Sequence, residues 1–257
     1  MRKITTLLFL FVVCFTVACS GGKKGGGKAS FDVALTLADI EPKFQPAVDA
    51  FNIMNEVVVA SGGEKLQSPF ELDSDGDGKS DIGYVVIGDP AFDDFFKSAA
   101  KLNGLIYICT ELTASATSQL KHFARSQASN EALRDQIKEL VGDKPSSEWT
   151  TQESAAVMAT AKERGQVKGD VLESFAGTGI SMGVGVVALG KAIKEAKDLL
   201  PKGQTLLSNV KSVSPMKIGK ATKGVKNSIS NLKSVVDNTP KMLEEMAVLV
   251  TAFSKLN

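Results

Sequence analysis

The chain has 257 residues, with 30 Lys and Arg against 29 Asp and Glu, one His, and a formal net charge of +1. That length carries one large domain or two small ones, and the balanced charge argues against a protein built around nucleic acid. Hydrophobic residues make up 43% of the chain but aromatics only 6%, which suits a helical core better than a β-sandwich.

The first residues form a leader. Arg2 and Lys3 give a charged start, and Leu7 to Val17 is almost wholly apolar. The run is too short to cross a bilayer, which takes about 20 residues, so it reads as a secretory signal over 1–18. Thr16-Val17-Ala18-Cys19 resembles the lipobox of bacterial lipoproteins, with Ala18 and Cys19 at its key positions and Thr16 where Leu is usual. The resemblance implies cleavage before Cys19, lipidation of Cys19 and attachment to a membrane of a bacterial envelope. Ser20 in the next position implies the outer membrane, with the periplasmic or surface face open. Residues 19–30 follow as a Gly- and Lys-rich tether, flexible and solvated. The folded body is expected over 31–257.

Asp39 to Ala60 is expected to be a helix, with Phe51, Met54, Val57 and Val58 at helical spacing. Pro46 falls in its first turn, where a missing N–H costs little, and Ser61-Gly62-Gly63 stops it.

Phe70-Glu71-Leu72 and Ile82 to Ile87 have strand character, and between them runs Asp73-Ser74-Asp75-Gly76-Asp77-Gly78-Lys79-Ser80-Asp81. Four carboxylates in nine residues repel one another unless a cation gathers them. Calcium takes six to eight oxygen ligands at about 2.3–2.6 Å, and alternating residues of a tight loop can aim oxygens at one centre. Asp73, Asp75, Asp77 and Asp81 stand at loop positions 1, 3, 5 and 9. Gly78 stands at the sharp turn, and Lys79 would offer its backbone carbonyl with its ammonium turned away. The loop resembles the acidic calcium loops of EF-hand and dockerin proteins, but Tyr84 occupies the place of their closing Glu. It is closer to the nine-residue calcium loop of FG-GAP repeats, which lies between two strands. That resemblance implies a calcium site on a small hairpin at about residues 70–87. It implies nothing about the fold, because one copy makes no propeller. A plain Asp-Gly turn without metal is the alternative.

The remainder is helical in pattern. A helix begins near Ala91, with Leu102, Leu105, Cys109, Leu112, Ala116, Leu120 and Phe123 on one stripe. Cys109, on an apolar face, is expected to be an inert buried thiol. His122, without a second His, supports no His-based metal site. Asn130 to Val141 forms a short helix ended by Gly142. Thr150 and Glu153 have the spacing of a capping box. Asp170 is expected to cap a helix whose stripe is Leu172, Phe175, Met182, Val186, Leu189, Ile193 and Leu200, broken at Pro201-Lys202-Gly203. Within it, 174–190 runs seventeen residues without charge, about 26 Å as a helix. Gly177, Ser181 and Gly185 lie four apart, as do Gly179 and Gly183, a spacing that lets helices approach closely. In the last helix Val225, Ile229, Leu232, Val236, Thr239, Leu243, Met246, Val250 and Phe253 follow a heptad seam, with a kink or restart at Pro240.

Charge is divided unevenly. Residues 31–100 hold 14 acidic and 4 basic side chains, whereas residues 201–241 hold 8 Lys and one Asp. Either the two regions face each other, or each meets an outside partner such as an envelope protein or anionic lipid. The lysines do not interleave with aromatics, so no nucleic-acid surface is expected.

The expected fold is mainly α: a helical bundle with one small β-hairpin carrying the acidic loop. The expected function is a structural or binding role in a lipid-anchored envelope protein with bound calcium, and not an enzyme, since no catalytic constellation is recognisable. A helical pore-former inserting 174–190, and an envelope enzyme of undefined reaction, are the alternatives. Oligomeric state is open.

Overall fold

The computed structural model describes residues 31–73 and 79–256. The expected signal segment 1–18, Cys19, the expected tether to residue 30, and Asp75, Asp77 and Gly78 of the acidic loop lie outside the described residues.

The described chain is mainly α, a helical bundle with one two-stranded antiparallel β element. In chain order the elements are β1 (Val33–Ala34), α1 (Leu37–Ile40), α2 (Gln45–Ala60), β2 (Gly83–Tyr84), α3 (Pro90–Ser126), α4 (Arg134–Val141), α5 (Thr151–Glu163), α6 (Gly169–Ser208) and α7 (Ile218–Leu256). The long helices α3, α6 and α7 have 37, 40 and 39 residues, so each spans roughly 55–60 Å. They pack on one another, with α2 laid on α6 and α5 on α3.

The end signals act through identifiable bonds. Thr150 and Glu153 form the capping box: the Glu153 amide donates to Thr150 Oγ1 at 3.1 Å, and the Thr150 amide donates to Glu153 Oε2 at 2.8 Å. Gly62 and Gly142 end α2 and α4 with φ of 83° and 66°, a region that favours glycine. Asp89 caps α3 through the Ala91 amide at 3.0 Å. Two details differ from the sequence pattern. The segment 39–60 is divided into α1, a 3-10 turn at Pro42–Phe44 and α2, with Glu41 turning the chain in an extended conformation. Asp170 sits inside the first turn of α6, behind Lys168 at the cap.

The hydrophobic pairing of α6 with α7 is the spine of the bundle. On α6, Phe175, Met182, Leu189, Ala196 and Gly203 are buried at seven-residue intervals; on α7, Val225, Leu232, Thr239, Met246 and Phe253 are too. Ring centroids of Phe175 and Phe253 lie 5.3 Å apart, and Gly203 abuts Ile229, so the helices run antiparallel. Sustained seven-residue spacing on both partners is the burial pattern of a coiled-coil seam. Each large apolar side chain buried here is worth about 1.5–3 kcal/mol.

The seam is shifted from the one expected. On α7 the second buried row is Ala221, Ser228, Val235, Met242, Leu249 and Leu256, while Ile229, Val236, Leu243 and Val250 are half-buried flanks. On α6, Leu172, Val186, Ile193 and Leu200 are half-buried, and small residues such as Ser174, Ser181, Gly185 and Ala192 fill the contact. Small side chains win those places because the neighbouring helices come too close for larger ones. A Cβ on Gly185 would stand 2.6 Å from Met246 Cε, and one on Gly177 3.1 Å from Ala50 Cβ. Gly183, by contrast, faces open space.

Neither proline breaks its helix. Pro201 lies within α6 and Pro240 within α7. Both are exposed, so the carbonyls they leave unpaired can turn to water, whereas an interior proline otherwise costs about 3 kcal/mol or more. The seam continues across Pro201 through Leu199 and Gly203. Gly203 serves close packing, with Phe95 Cζ 2.6 Å and Ile229 Cγ1 2.8 Å from where its Cβ would be.

The β element also has an unexpected partner. Tyr84 pairs with Val33 and Gly83 with Ala34, so β2 joins the N-terminal strand and not Phe70–Leu72. Gly83 is required there: a Cβ would lie 2.5 Å from Val33 O. Two lysines, one in the first turn of α7 and one just before it, clamp this element. Lys220 Nζ lies 2.6 Å from Asp32 Oδ2 and donates to Val86 O at 3.1 Å, and Lys217 donates to Ile87 O at 2.5 Å. At this point the acidic N-terminal region and the lysine-rich region face each other.

Candidate metal centre

The two described ends of the acidic segment meet in a closed neck. The Asp81 amide donates to Leu72 O at 2.7 Å, which brings the two ends of the nine-residue segment together. Leu72 and Ile82, just outside it, are 7% and 4% exposed, and they anchor the neck in the hydrophobic core. Ser80 locks the exit, its Oγ donating to Ile82 O at 3.1 Å and accepting the Ile82 amide at 3.2 Å. Asp73 and Asp81, at positions 1 and 9, therefore flank a fixed base, while Lys79 is exposed.

The neck faces α3, which brings to it two residues that the sequence pattern does not single out. Tyr107 and Glu111 stand one helical turn apart on α3. Burial pushes the Tyr107 hydroxyl up to about 12, and the negative charges of Glu111, Asp81, Glu71 and Asp73 add to it. Burial also raises the Glu111 carboxyl above the usual carboxylate range. The region between loop neck and helix is thus electronegative and partly desolvated, a setting that favours a cation. The i, i+4 spacing of Tyr107 and Glu111 is visible in the sequence, but nothing local ties it to a loop some thirty residues earlier.

Among the described residues no three of His, Cys, Asp and Glu are gathered closely enough to hold a metal ion. Asp73 and Asp81 belong to the set expected for calcium, and its members Asp75 and Asp77 lie outside the described residues. The donor chemistry is all oxygen, without His or Cys, which suits calcium and not zinc.

Two other groups could pass for chemistry. Ser61 Oγ lies 2.8 Å from His122 Nε2, but the hydroxyl donates to Val58 O at 2.8 Å, so the ring nitrogen is the donor. The amides of Gly62 and Gly63 are spent on Val59 O and Val58 O, which leaves no oxyanion donors beside the serine. The pair ties the end of α2 to α3. Cys109 is fully buried, and burial raises its thiol far above the ordinary range, which makes it inert.

The uncharged segment of α6 packs one face into the bundle and leaves the other open. The helix is long and apolar enough to cross a membrane by length and composition, and 44% of its most apolar stretch is buried.

Comparison with protein-family models, with curated proteins and with solved structures finds no match. The functional reading therefore stands on the residues themselves.

Proposed function

We propose that the chain is a lipid-anchored protein of a bacterial cell envelope, held through Cys19 at the outer membrane. Its helical body carries a calcium loop at Asp73–Asp81 and has a structural or binding role. The observation that carries the calcium part is the neck: the Asp81–Leu72 bond at 2.7 Å closes a segment with Asp at positions 1, 3, 5 and 9 and Gly at 6. Calcium would neutralise carboxylates that otherwise repel, and so tie the loop to the core through Leu72 and Ile82. Asp73, Asp75, Asp77, Asp81 and the Lys79 carbonyl would hold it. The anchor part rests on the charged leader, its apolar run and the Ala18-Cys19 junction.

A pore-forming role for 174–190 would require α6 to leave α2, α3 and α7. That would expose Phe175, Met182 and Leu189, each fully buried, at about 1.5–3 kcal/mol apiece before any gain from lipid. A body that stays folded on its tether is the lower-cost arrangement.

The anchor is tested by metabolic labelling with a radioactive fatty acid in a bacterial host. Wild type should incorporate label and sediment with membranes, and Cys19→Ala should do neither. Equal labelling of the variant would rule out Cys19 as the lipidation site.

A further inference from the structure

The outer face of α6 has an order of its own. Glu173, Ala176, Ile180, Gly183, Val187, Gly190 and Lys194 succeed one another in steps of three and four, a second seven-residue seam directed away from the bundle. Ile180 is 66% exposed and Val187 59%. A Cβ on Gly183 or Gly190 would meet nothing within 4 Å, so the glycines are open notches between two apolar knobs. A shallow groove of about 310 Å³ runs beside Gly183 and Val187, lined also by Glu41, Lys43, Val184 and Lys191.

The pattern is inverted about Gly183. Ile180 on one side answers Val187 on the other, Ala176 answers Gly190, and the acid Glu173 answers the base Lys194. Glu173 lies ten residues before Gly183 and Lys194 eleven after it, about 15 and 16 Å along the axis. Two such faces laid antiparallel would set Glu173 of each against Lys194 of the other, at both ends together. Ile180 and Val187 would meet near the middle, over the notches. Neither Glu173 nor Lys194 has an ion-pair partner among the described residues.

We propose that this face of α6 is the interface of a two-fold dimer, its occupant being the α6 of a second copy of the chain. A two-fold interface must be self-complementary, each patch meeting itself in reverse, and this face meets that condition in size alternation and in charge. A lipid surface would satisfy Ile180 and Val187 but gives no reason for opposite charges at matched distances from the centre. The proposal rests neither on the anchor nor on calcium.

The test is sedimentation velocity of the full chain in mild detergent, with Glu173→Lys, Lys194→Glu and an equal mixture of the two. Both positions are solvent-facing, and melting curves check that the variants fold. Wild type should dimerise. Each single variant should dimerise more weakly, on the order of tenfold, since it sets like charges together at both ends. The mixture should recover the dimer, because a mixed pair restores both attractions. Three results overturn the proposal: wild type monomeric at every concentration, single variants dimerising as tightly as wild type, or a mixture no tighter than its components. In the first case, protection of α6 from hydrogen exchange only on adding phosphatidylglycerol vesicles would assign the face to lipid instead.

Discussion

Gly203 of α6 lies so close to Phe95 of α3 that a Cβ at that position would stand 2.6 Å from the ring's Cζ. Twenty residues earlier on the same helix, Gly183 faces nothing within 4 Å. Two glycines in one helix therefore have opposite physical meaning. Replacing Gly183 by Ala should stabilise the monomer by up to ~1 kcal/mol through helix propensity. Replacing Gly203 by Ala gains the same propensity but forces Phe95 and Ile229 aside, at a typical overpacking cost of about 1–3 kcal/mol. Urea unfolding of the two variants checks this, and the expected order is Gly183→Ala above wild type above Gly203→Ala.

The capping box of α5 makes a pH prediction. Glu153 is held down to about 2, first by the Lys144 ammonium at 2.5 Å and then by the Thr150 amide. An unfolded Glu titrates near 4.3. As pH falls the unfolded state takes up the proton first, so the contribution of Glu153 is complete above about pH 5 and is lost progressively towards pH 2. Glu153→Gln should flatten that part of the stability–pH curve, measured by thermal melts from pH 7 to 2. Thr150→Ala should cost about 1 kcal/mol at neutral pH.

A third expectation concerns Gln119, which is 1% exposed. Its Oε1 accepts from Thr178 Oγ1 at 3.0 Å, but its Nε2 has no hydrogen-bond partner among the described residues. A buried unpaired donor costs about 1–3 kcal/mol. Thr178 retains Ser174 O at 3.1 Å as a second acceptor. Gln119→Leu should therefore leave stability unchanged or raise it, by calorimetric melting. A clear fall in melting temperature would mean that the amide is bonded in solution.

The long helices were legible in the sequence because their periodicity persists for many turns: the stripe from Leu102 to Phe123 is buried throughout. Misplacements came where tertiary contact outweighs local preference. Pro201 and Gly203 carry the two strongest helix-breaking side-chain types, yet α6 passes through both because Leu199 and Gly203 continue its seam with α7. The α7 seam is displaced because small Ser228 and Ala221 sit deeper than the larger Ile229 and Val236, an order that hydrophobicity alone does not signal. Strand β2 was visible in Ile82 to Ile87, but its partner Val33–Ala34 has two residues and no pattern to find. Of the candidate site, the loop was fully visible as a motif. The electronegative wall at Tyr107 and Glu111 was not, because it exists only once α3 lies against the neck.

The proposed function turns on calcium in the loop from Asp73 to Asp81. Isothermal titration calorimetry of calcium into the chelator-treated full chain in detergent tests it most directly, with Asp75→Ala and Asp77→Ala alongside. Wild type should take up one calcium per chain with a saturable heat, and either substitution should remove most of it. At a hundredfold excess over the dissociation constant, bound calcium should add about 2.7 kcal/mol of stability. No saturable heat, together with identical melting of wild type in calcium and in chelator, would contradict the account and leave the loop a plain solvated turn.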